Sequence, residues 1–178
     1  QVLPYSRVLE KLERSAALGD VGPGLLPVFL PQRVMDEVVA LTERAGNVEV
    51  GAVLIGKIHQ DHVSKQLFLK VTAQIPARHA ISESSRLGLT PETWAAVQAA
   101  LDLRQDGEQM VGWFHSHPAR YWCKKECSPE AKKQCPFIHI IIDHAVSPAG
   151  GRRIIKQNLC PVHKGWFQHV LSSIPARK

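Results

Sequence analysis

The run Met110-Val111-Gly112-Trp113-Phe114 is apolar and strand-like, and it ends in His115-Ser116-His117-Pro118. Alternate residues of a strand point to the same side. The run therefore commits this stretch to a sheet and sets two imidazoles side by side, able to converge on one metal ion. Neutral imidazole is a common zinc ligand, at about 2.0–2.1 Å. Two histidines are too few to hold zinc. A hydrolytic site needs about three protein ligands, an open position for water and a base to take the water's proton.

Around this strand the chain alternates helical and β-rich stretches. Ser6 to Arg14 reads as a short amphipathic helix, with Ser6 as its cap, and Val21-Gly22-Pro23-Gly24 breaks it. Leu25 to Leu30 is a short strand candidate. Gln32 to Ala45 places Val34, Val38 and Leu41 on one helical face, and Gly46-Asn47 is its stop signal. Val48 to Ile58 and Gln66 to Ile75 are β-rich strands joined through a polar turn around Gln60-Asp61-His62. His59 and His62 are expected to be solvated in that turn. Ala77 to Leu89 lacks clear periodicity and reads as a loop. Thr90 caps a helix from Pro91 to Arg104, with proline at its favoured first position. Phe137 to Ile142 and Arg153 to Gln157 complete the strands. The expected class is α/β (α+β), a central mixed sheet flanked by helices.

The chain has 178 residues, enough for one domain with a substantial core. No apolar run approaches the roughly 20 residues of a membrane helix, and no secretory pattern is visible. The expectation is a cytoplasmic protein without a membrane partner. The formal charge of +6 comes from scattered residues, with only short clusters such as Lys124-Lys125, Lys132-Lys133 and Arg152-Arg153, and aromatic residues make up 6%. That pattern argues against nucleic acid and suits a basic surface facing an acidic protein.

Glu49 is the best candidate for the base. It stands at the start of the apolar segment Val50-Gly51-Ala52-Val53-Leu54-Ile55-Gly56. An unpaired carboxylate inside a buried strand is costly. Glu49 is therefore either placed for chemistry or solvated at the strand's edge, and both readings stand on the local sequence. The four cysteines, Cys123, Cys127, Cys135 and Cys160, have a spacing that allows a second, structural Zn2+ site tying the segment after the histidines to the C-terminal part. Four reduced thiols are the alternative. A third possibility is that one cysteine completes the histidine site.

Taken together, Glu49, the Gly-Trp-Phe-His-Ser-His-Pro run and the order of elements before it resemble the JAMM (MPN+) zinc metalloproteases. Their motif is a glutamate on an early strand, then His-x-His-Pro, then Ser-x-x-Asp. Gly56 matches the glycine seven residues after the glutamate; the family's usual glycine three residues after it is Ala52 here, with Gly51 adjacent. The resemblance spans Leu25 to Ile142. It implies an MPN/JAB (cytidine-deaminase-like) sandwich, with an N-terminal helical segment over 1–24 and the metalloprotease domain over 25–178. By the same resemblance, His115 and His117 are ligands of a catalytic Zn2+, Glu49 is the general acid/base, Ser128 helps to hold the oxyanion, and Ser116 is structural. The implied activity is that of a deubiquitinase-like isopeptidase or peptidase. It would cleave after the C-terminal tail of a ubiquitin-like protein, by Glu-assisted attack of water. The tail would add as a strand beside the loop that carries Ser82, Glu83, Ser84 and Ser85. The family's bacterial members include enzymes of conjugation or antiviral defence operons, and the cysteine-rich loop and the absence of long eukaryotic extensions lean that way.

One motif position departs. Where the family has its third ligand, an aspartate three residues after Ser128, this chain has Ala131, which cannot coordinate a metal. Glu130 is adjacent, but one residue along a helix turns a side chain by about 100°. Three accounts stand: an engineered ligand knockout, a natural pseudoenzyme, or a different third ligand. The intact Glu49, His115 and His117 favour the first. The alternative function is a non-catalytic MPN-type scaffold that binds a partner protein.

Overall fold

In a computed structural model, the structure describes residues 2–3, 15, 26–83, 86–104, 107–117, 137–143, 152–158 and 165–171, of which 2–3, 137, 139, 143, 152–158 and 165–171 by backbone alone. The expected N-terminal helix over Ser6 to Arg14 lies outside these residues. Strand β1 is Val2–Leu3, β2 is Val28–Phe29, helix α1 is Gln32–Ala45, β3 is Gly51–Asp61 and β4 is Leu67–Pro76. Next come β5 (Ile81–Ser82), β6 (Leu87–Gly88), helix α2 (Pro91–Asp102), β7 (Gln109–His117), β8 (Phe137–Asp143), β9 (Arg152–Asn158) and β10 (Gly165–Leu171).

The main sheet runs β10-β9-β8-β7-β3-β4-β2. β3 is antiparallel to both β4 and β7, and the pairs from β7 to β10 are antiparallel as well. β2 joins β4 in parallel, and β1 joins β3 in parallel at Gln60 and Asp61, beyond the end of the β3–β7 ladder. The sheet is therefore mixed, as the sequence implies.

β3 lies inside the sheet, between β7 and β4, because it can be buried on both faces. Gly51 through Ile55 are all buried, and the side chains divide by the two-residue repeat of a strand. Ala52 and Leu54 point to one face. There they meet Val34, Met35 and Val38 of α1, together with Phe114, Ile138, Ile140 and Ile142. Val53 and Ile55 point to the other face and pack with Ala73 and with Val97 of α2. Each fully buried aliphatic side chain contributes about 1.5–3 kcal/mol, so the apolar run stabilises both layers at once. No helix among the described residues is long and apolar enough to cross a membrane.

Each helix among the described residues has one end with an identifiable cause. α1 ends at Gly46, whose φ of 64° is a left-handed conformation that suits glycine. Within it, the buried Thr42 hydroxyl donates to the Val38 carbonyl at 2.9 Å. α2 starts at Thr90, whose Oγ1 accepts from the Thr93 amide, with Pro91 at the first helical position. The same hydroxyl donates to the His79 carbonyl at 2.9 Å, tying the helix to the segment before β5.

Several expectations need correction. The segment from Ala77 to Leu89 is not simply a loop: it holds the β5–β6 hairpin, pairing Ile81 with Gly88 and Ser82 with Leu87. Two-residue strands are too short to leave a periodic signal. His59 is not solvated in a turn. β3 continues to Asp61, so His59 is buried within it and stacks on Phe68 at a 5.0 Å centroid separation. The strand expected from Leu25 to Leu30 is reduced to Val28–Phe29, and β10 was not anticipated.

Candidate metal centre

The ladder between β3 and β7 ends with Gly51 opposite His115. Cross-strand partners share a face, and alternation puts His117 on the same face as His115. Glu49, two residues before Gly51, is aligned with that face too. The two imidazole rings lie 4.7 Å apart between centroids, inclined at 61°. Oε1 of Glu49 lies 3.3 Å from Nδ1 of His117. The structure thus brings together three of the residues that the sequence singles out.

Glu49 is neither on β3 nor solvated. It lies just before the strand and is only 5% exposed. Burial pushes its carboxyl above the usual carboxylate range. Burial pushes the His115 imidazole down, which favours the neutral ring, the form that ligates metals. A carboxylate at Nδ1 of His117 can fix that ring's orientation and tautomer, leaving Nε2 as the ligating nitrogen.

The backbone around Glu49 is held from two sides. Its own amide donates to the Glu83 carbonyl at 2.7 Å, joining it to the β5–β6 hairpin. The next residue, Val50, exchanges two hydrogen bonds with Ser116, the residue between the histidines. The Ser116 amide donates to the Val50 carbonyl at 2.8 Å, and the Val50 amide donates to Ser116 Oγ at 3.0 Å. Ser116 is fully buried.

The hairpin is pressed onto the site by Leu87. A Cβ at Gly51 would lie 2.6 Å from Leu87 Cδ2 and 2.6 Å from the Phe114 carbonyl oxygen. Gly51 is therefore the gap that lets Leu87 settle beside the histidine strand. The glycine was visible in the sequence; its partner was not, since nothing local ties Leu87 to it. The Glu83 carbonyl and the Val50–Ser116 pair are contributions that residue types do not announce. Of the expected tail-binding residues, Ser82 and Glu83 are exposed on the hairpin, while Ser84 and Ser85 lie outside the described residues.

Ser128, Ala131, Cys123, Cys127, Cys135 and Cys160 also lie outside the described residues. Among the described residues there is no group of three or more histidine, cysteine, aspartate or glutamate side chains placed to hold a metal. Two histidine nitrogens, one on a ring held neutral and one on a ring braced by a carboxylate, suit zinc as part of a ligand set. A complete set needs a ligand beyond them.

The family model for prokaryotic homologues of the JAB domain matches residues 31–120, about half of the chain. The chain belongs to this family, whose α+β fold agrees with the mixed sheet and the helices α1 and α2. The matched region holds Glu49, the hairpin, His115 and His117, and stops short of Ser128 and Ala131. Neither a curated protein nor a solved structure matches the chain.

Proposed function

We propose that this chain is a zinc-dependent isopeptidase or peptidase of the JAB family, acting after the C-terminal tail of a ubiquitin-like protein, with Ala131 weakening or abolishing its activity. The observation that carries the reading is the placement of Glu49 beside His117, with His115 on the same face. His115 and His117 would hold the ion, which when bound polarises the scissile carbonyl and lowers the pKa of water. Glu49 takes the proton of the attacking water and delivers it to the leaving amine. Ser128 supports the oxyanion. Ser82 and Glu83 belong to a hairpin beside Glu49, where an extended tail can be held through backbone hydrogen bonds by strand addition. Cys123, Cys127, Cys135 and Cys160 would hold a second, structural Zn2+.

The test is cleavage of a ubiquitin-like protein carrying a C-terminal extension, by the Ala131→Asp protein supplied with zinc. Chelator-sensitive release of the extension supports the reading. Binding of the ubiquitin-like protein without cleavage, in the Ala131→Asp protein with full zinc, favours the scaffold. Ala131 is the one feature that speaks for that second reading; the juxtaposed Glu49, His115 and His117 speak against it.

A further inference from the structure

We infer that Ser116 is a positioning residue, whose hydroxyl releases the Glu49 segment from the β-ladder and sets Glu49 on His117. In a regular antiparallel ladder, directly opposed residues of a hydrogen-bonded pair exchange two backbone bonds, amide to carbonyl in both directions. Val50 and Ser116 follow Gly51 and His115 in register and would form such a pair. Only one of the two bonds is regular: the Ser116 amide donates to the Val50 carbonyl at 2.8 Å. The other is diverted, because the Val50 amide donates to Ser116 Oγ at 3.0 Å instead of to a backbone carbonyl.

A side-chain acceptor changes where the chain can go. It satisfies a half-buried amide, which would be costly to leave unpaired, without requiring the two strands to stay in ladder register. The ladder ends at Gly51 opposite His115. One residue beyond Val50, the Glu49 amide has already turned to another partner, the Glu83 carbonyl at 2.7 Å. The carboxylate then reaches His117 at 3.3 Å. Ser116 has no exposed surface, so solvent does not compete for its hydroxyl. Its place between the two histidines means that one strand segment carries both the imidazoles and the group that aims the glutamate at them.

This inference rests on the proposed site, but its test needs neither metal nor turnover. Failure of the proposed activity and failure of the positioning role are therefore separable. Ser116→Ala removes the acceptor, Ser116→Thr keeps a hydroxyl, and Ser116→Cys keeps the size with a weak acceptor. The readouts on metal-free protein are amide hydrogen exchange at Glu49 and Val50, the ring nitrogen resonances of His117, and thermal unfolding. In folded Ser116→Ala, exchange at both amides should rise about tenfold, the order set by losing one half-buried hydrogen bond. The His117 signals should shift as Glu49 withdraws, and Ser116→Thr should restore both. If the alanine protein does not fold, Ser116→Cys should show the same changes. Unchanged exchange and unchanged His117 signals in the folded alanine or cysteine protein would overturn the inference. So would a threonine protein that matches alanine, because packing rather than the hydroxyl would then be responsible.

Discussion

Leu87 rests against the backbone of Gly51, in a space that any side chain at Gly51 would fill. The contact joins the β5–β6 hairpin to the end of the ladder where His115 stands. Gly51→Ala would force a Cβ to within 2.6 Å of both Leu87 Cδ2 and the Phe114 carbonyl oxygen. The leucine can rotate away; the carbonyl belongs to the sheet and cannot. The variant should lose ~1–3 kcal/mol in urea unfolding. Adding Leu87→Ala should recover only part of that loss, because the carbonyl contact persists. Full recovery would mean that Leu87 alone fills the space.

Glu108 offers a test of how the start of β7 is held. The Thr72 side chain hydrogen-bonds its carboxylate, and this, with Arg104 at 2.6 Å, holds its pKa below the ordinary value of 4.5 despite the opposing effect of burial. A depressed carboxyl contributes stability that is present above the unfolded value and lost as pH falls through the folded one. Glu108→Gln should therefore be less stable than the parent at pH 7, by ~1 kcal/mol. The gap should close as the solution is acidified below about 4.5. Urea unfolding across that range checks it, and a gap independent of pH would contradict it.

The parts of the fold legible in the sequence were those with long periodic or continuous apolar signals. Gln32–Ala45 carries its apolar face and its glycine stop, and Pro91–Asp102 carries its threonine cap and first-position proline. β3 and β7 announce themselves through their continuous apolar runs. What stayed hidden was set by contact rather than pattern. The hairpin exists because Leu87 finds Gly51 and Glu83 finds the amide of Glu49, partners 36 and 34 positions apart. His59 looked like a turn residue because its polarity suggested the strand had ended; stacking on Phe68 lets β3 continue through it. The site was legible as residue types, in Glu49 and the two histidines. The means of aligning them, through Ser116 and Val50, was not.

Glu49 is the residue whose role separates chemistry from metal binding. In the Ala131→Asp background, Glu49→Gln should keep zinc at the level of its parent and lower peptidase turnover by about 10²–10⁴-fold, the usual contribution of a positioned acid/base. Elemental analysis and a cleavage assay on the same preparations check both. Turnover that survives the substitution would remove Glu49 as the proton carrier. Zinc lost along with turnover would mean that its carboxylate serves mainly to brace His117.

The most direct measurement is zinc per chain, for this protein and for Ala131→Asp, by elemental analysis. About one zinc is expected in the first, held by the cysteines, and about two in the second, once an aspartate joins His115 and His117. Two in both would mean that another residue already completes the histidine site, and none in either would contradict both metal centres.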